Sequence, residues 1–117
     1  MSYFRNRRIA FSNALSGLIE AAKTEVHFKL FLFIAFLLIL FAFYFKVSKH
    51  DWLILLLCIG LVLSLELFNS AIEKLCDVVM TEKHPKIKYI KDVMAGAVLM
   101  ACVFAAIIGL IIFSGYV

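Results

Sequence analysis

Residues 52–79 read WLILLLCIGLVLSLELFNSAIEKLCDVV. From Trp52 to Leu65 the stretch carries no charge, and its bulk is Leu, Ile and Val. From Glu66 onward polar side chains return at regular intervals. On an α-helix, which advances about 100° per residue, Glu66, Asn69, Ser70, Glu73 and Asp77 fall within a sector of about 100°. The segment therefore reads as a membrane-spanning helix that gains one polar stripe along its second half. If Trp52 marks one membrane boundary, Glu66 lies about 21 Å along the axis, still inside a hydrocarbon core of about 30 Å. A carboxylate at such a depth costs about 2.5–3.5 kcal/mol. Something in the protein must offset that cost or exploit it.

Two more spans flank this one. Residues 28–46, ahead of it, are almost entirely Phe, Leu and Ile, and residues 92–116, after it, are apolar again. Each has about the length needed to cross a bilayer. Residues 4–23 read as an amphipathic surface helix. Phe4, Phe11, Leu15, Leu18, Ile19 and Ala22 share one face, Asn6, Asn13, Ser16, Glu20 and Lys23 lie opposite, and Arg5, Arg7 and Arg8 stand at the front. The expected fold is all-α and integral to the membrane: a single domain over residues 1–117, with a surface helix, three spans, and the second span (52–79) extended beyond the membrane. In the third span Ala97, Ala101, Ala105 and Gly109 recur every fourth residue, a spacing that lets helix backbones approach closely, within or between chains.

Composition agrees. Of 117 residues, 65% are hydrophobic and only 17% charged, beyond the apolar share of ordinary soluble domains. The three cysteines, Cys58, Cys76 and Cys102, are odd in number and lack CxxC spacing, so neither a disulfide framework nor a zinc site is expected. The net charge of +4 does not imply nucleic acid, because the basic residues flank apolar spans, where anionic lipid headgroups attract them. Of the twelve Lys and Arg, only Lys46 and Lys49 lie in the turn between the first two spans, and none follows Lys91. By the positive-inside rule the N-terminus and the loop 81–91 face the cytoplasm and the C-terminus lies outside.

The stripe carries the chemistry. Burial suits Glu66 to general-base work, because it disfavours the charged form. Glu73 and Asp77, nearer water, offer hard oxygen ligands of the kind Mg²⁺ prefers. Glu25, Glu82, His84, Lys91 and Asp92 converge on the same membrane side, a set suited to a metal-bound polyphosphate. Neither GxxxxGK[ST] nor GxGxxG occurs, so any ATP site must be built from helix surfaces and carboxylates. Two other classes stay open at this level: a small proton-coupled transporter working through Glu66, and a non-catalytic assembly subunit using the small-residue face. A purely structural polar network between helices is the bland reading of the stripe.

The run from Glu66 to Glu73, with Asp77 four residues on, resembles the ExxNxAIExxxD signature of the prokaryotic diacylglycerol kinases. Lys91-Asp92 followed by Ala95-Gly96-Ala97-Val98-Leu99 resembles that family's second signature, and Glu25 and His84 stand where members carry an acid and a loop histidine. The resemblance implies a homotrimeric lipid kinase of the bacterial cytoplasmic membrane, with composite sites between subunits. It would transfer the γ-phosphate of MgATP to the hydroxyl of diacylglycerol or undecaprenol. Carried over residue by residue, it implies Glu66 as general base and Glu25 and Glu73 as Mg²⁺ ligands. Asn69 and Asp77 would order the site, and Lys91 and Asp92 would hold ATP. The wording Ala95-Gly96-Ala97 looks more like the undecaprenol kinases.

Overall fold

The computed structural model describes residues 2–117 and consists of four helices: α1 (Tyr3–Thr24), α2 (Val26–Phe45), α3 (Lys49–Val79) and α4 (Pro85–Ser114). The last three are each long and apolar enough to cross a membrane. At 1.5 Å per residue α2 is about 30 Å long, while α3 and α4 reach about 45 Å, so their polar ends outrun any hydrocarbon core. Helix α4 begins well before the apolar run that starts near residue 92. Its first turn is set by local chemistry: Pro85, with its fixed φ, opens the helix, and His84 Nδ1 accepts a hydrogen bond from the Lys86 amide at 3.1 Å. Likewise α3 begins at Lys49, ahead of Trp52, because the Ser48 hydroxyl accepts from the Asp51 amide at 3.1 Å.

Helix α2 ends at Lys46 in the left-handed conformation (φ 53°), which a non-glycine residue adopts at some cost and which turns the chain sharply towards α3. The small core sits at this end: Ala42, Val47, Leu55 and Ile112 are buried together, flanked by Phe45, Trp52 and Phe113. A polar clasp closes it. The Tyr116 hydroxyl donates to Asp51 Oδ2 at 2.6 Å and accepts from the Ser48 amide at 2.9 Å, fastening the end of the chain to the α2–α3 turn.

Elsewhere the helices touch along narrow lines. On α2 the buried residues are Phe28, Ala35 and Ala42, one every seven positions, a seam of the coiled-coil kind. The stripe Ala97, Ala101, Ala105 and Gly109 is half-buried and turned towards the rest of the chain. Yet a methyl group placed on Gly109 would meet nothing within 4 Å. The glycine is not required for any contact inside one chain. Helix α1 buries no residue, and Phe4, Phe11, Leu15, Leu18 and Ile19 are exposed. With a radius of gyration of 17.6 Å, against about 13 Å for a compact soluble domain of this length, the chain leaves most of its apolar surface to lipid or to other chains.

Candidate active site

Glu66 is the one charged side chain buried among the described residues, at 4% exposure. It lies on α3, with Leu55 and Cys76 the other buried residues of that helix. His27, Glu73 and Glu25 are the titratable side chains close enough to act on it. The carboxylates of Glu25, at the start of α2, and Glu73, further along α3, thus lie in the region of Glu66.

Three residues on, Asn69 is half-buried. Its amide nitrogen donates to Glu73 Oε1 at 3.4 Å, while its Oδ1 is buried with no hydrogen-bond partner in the chain. A buried acceptor of this kind is costly unless something completes it. Glu25 separates two helices without help from glycine or proline: it is the C-cap of α1 and the N-cap of α2, in extended conformation. Its carboxylate makes no capping bond and instead pairs with Lys74 Nζ of α3 at 3.1 Å.

Two further acids, Asp77 and Asp92, are paired as well. Lys91 Nζ lies 2.7 Å from Asp77 Oδ1, joining α4 to α3, and Lys88 Nζ lies 2.6 Å from Asp92 Oδ2 one turn earlier on α4. Neighbours on a helix point about 100° apart, so Lys91 and Asp92 take different partners. Glu82 is exposed in the α3–α4 connection. His84 is half-buried, and the bond visible to it is the capping one. The sequence reading missed Lys74, Lys88 and the Tyr116–Asp51 clasp. A lysine on a helix gives no sign of its tertiary partner, although Lys88 and Asp92 stand four apart on one helix, where a salt bridge is foreseeable.

Among the described residues no three His, Cys, Asp or Glu side chains converge to enclose a metal ion. Mg²⁺ does not demand that: one or two carboxylates commonly hold it, with water and phosphate oxygens completing its octahedron. Glu25, Glu73 and the uncompensated Asn69 Oδ1 are all hard oxygen donors, and the set fits that pattern.

An apolar groove of ≈ 950 Å³ runs along the other half of the bundle, lined by Phe31, Leu38, Leu55, Val62 and Ala105 among others from α2, α3 and α4. Its lining reaches Leu63 and Cys102, so on α3 it stops about one turn short of Glu66.

The sequence profile of the family described as prokaryotic diacylglycerol kinase matches residues 12–113. The chain belongs to that family. It is 39% identical over 104 residues to the undecaprenol kinase of Bacillus subtilis (strain 168), covering 89% of this chain and 85% of that protein. It is 34% identical over 101 residues to the diacylglycerol kinase of Haemophilus influenzae, covering 86% of each. Over 105 residues it is 32% identical to the diacylglycerol kinase of Synechocystis, covering 89% of this chain and 60% of that longer relative. As a prokaryotic diacylglycerol kinase family member it is a lipid kinase and a membrane protein. The buried acid thus lies in an enzyme.

Proposed function

We propose that the protein transfers the γ-phosphate of MgATP to the hydroxyl of a membrane lipid alcohol, undecaprenol or diacylglycerol, with Glu66 as general base. The burial of Glu66 among carboxylates that fit a metal–phosphate site carries this reading. Phosphoryl transfer needs positioning and charge neutralisation more than covalent chemistry. Glu66 accepts the proton of the attacking hydroxyl. Glu25 and Glu73 hold the metal, with Asn69 orienting Glu73 through its amide. A bound Mg²⁺ supplies neutralisation of the phosphoryl oxygens. Lys91 offsets phosphate charge from α4, and Asp77, Asp92, Glu82 and His84 order the nucleotide around it. The apolar groove that ends a turn from Glu66 is suited to the lipid's tail. Of the two acceptors, the higher identity to an undecaprenol kinase favours undecaprenol.

The setting follows the same reading: α1 lying along the cytoplasmic face of the bacterial inner membrane, the C-terminus outside, and three copies completing the sites and covering the apolar surface one chain leaves bare.

The test is labelled phosphate transfer from MgATP by purified protein in mixed micelles, with diacylglycerol and undecaprenol offered side by side. Wild-type protein labels lipid, undecaprenol faster. Glu66→Gln, which keeps the side chain's shape, loses about 10²–10⁴-fold in turnover while staying folded. Absence of label on either lipid, from folded and oligomeric protein, would overturn the reading.

A further inference from the structure

Each acid at the polar end of the bundle except Glu73 and the exposed Glu82 is held by a lysine, and one of these pairs differs in kind from the others. Lys91–Asp77 and Lys88–Asp92 pair residues that share the polar turns of α3 and α4. Lys74–Glu25 instead reaches from α3 to the junction between α1 and α2, and it occupies a carboxylate that the proposed function gives to the metal. Lys74 is 71% exposed and Glu25 only 24%. The lysine therefore comes in from the solvent side onto a mostly shielded acid, along the approach open to any other cation. It also directly follows Glu73, the second carboxylate of the set.

We infer that Lys74 is a tethered competitor of the divalent cation: its ammonium neutralises Glu25 in the resting protein and is displaced when the metal binds. The inference rests on the metal site of the proposed function. It adds a residue that sets the cation concentration at which the enzyme loads. The physics is that of a population tax. If Glu25 is free only a fraction of the time, the apparent metal affinity falls by that fraction. For a pair this exposed the factor lies between about 1.5-fold and fivefold. In the resting state the same pair keeps the α1–α2 junction against α3.

A cation beside a nucleotide site is ordinarily expected to help binding, and its loss to hurt. The tethered competitor predicts the opposite for the metal. The experiment is Mn²⁺ binding to the full-length protein in detergent without nucleotide, followed through the free-Mn²⁺ electron paramagnetic resonance signal, with helicity checked by circular dichroism. Lys74→Gln tightens Mn²⁺ binding by about 1.5-fold to fivefold, whereas Lys83→Gln, which removes the same charge from the neighbouring loop, does not. In a Glu25→Gln background the effect of Lys74→Gln disappears, as it must if the two residues act through each other. Unchanged or weaker binding in Lys74→Gln, or tightening that persists without Glu25, overturns the competitor role. In that case loss of binding in Glu25→Gln leaves the metal site itself standing. Wild-type affinity in both Glu25→Gln and Glu73→Gln, or no saturable Mn²⁺ binding by any of the chains, would sink the metal site and the competitor together.

Discussion

The ammonium of Lys91 lies 2.7 Å from an Asp77 carboxylate oxygen, a bond between α4 and α3 that spans 14 residues of sequence. It connects the two signature motifs of the family, one on each helix. Exposed pairs of this type add little to stability, so its value is positional.

Exchanging the partners tests that. Asp77→Lys combined with Lys91→Asp restores a pair of opposite charges between the helices but inverts the charge offered to phosphate. The double variant keeps the melting temperature of the wild type and loses lipid phosphorylation. Lys91→Gln alone raises KM for MgATP several-fold. Full activity in the exchanged protein would show that only the pairing matters, which steady-state kinetics beside a thermal melt would reveal.

The clasp at the opposite end is a matter of stability. Tyr116→Phe removes a 2.6 Å bond to the Asp51 carboxylate and a 2.9 Å bond from the Ser48 amide. Hydrogen bonds to charged acceptors contribute about 1.5–3 kcal/mol, and partial exposure reduces this to about 1 kcal/mol here. Thermal or detergent denaturation detects the loss, while turnover at low temperature stays close to wild type because Glu66 is far along α3.

Packing separates two small residues. Ala42 has 0% exposure within the core of Val47, Leu55 and Ile112, so Ala42→Leu overfills it and costs about 1–3 kcal/mol. Gly109→Ala meets only open space within the chain and leaves the fold of a single chain intact. If Gly109→Ala nevertheless weakens assembly, measured by crosslinking or by mass in detergent, the glycine serves contact between copies.

Much of this was legible in the residues. Three long apolar runs specify three helices, and the helical period alone places Glu66, Asn69, Glu73 and Asp77 on one face of α3. The helix starts were less so. Counting apolar residues puts the last span at 92, whereas Pro85 and His84 begin the helix earlier through φ and a capping bond, neither of which hydropathy registers. Glu25–Lys74 and Tyr116–Asp51 were illegible for another reason: each joins residues distant in sequence, and only the packing of α2 and α4 against α3 brings them together.

The seam on α2 bears on how this sequence can change. With Phe28, Ala35 and Ala42 as its buried positions, and Phe31, Leu38 and Phe45 along the groove and core, the helix asks of its outward apolar residues, such as Phe33, Phe36 and Phe41, only that they be oily. Mutations there are expected to drift freely among Phe, Leu, Ile and Val. A library randomised over those apolar types should return functional proteins at these outward positions of α2 and far fewer on the buried line.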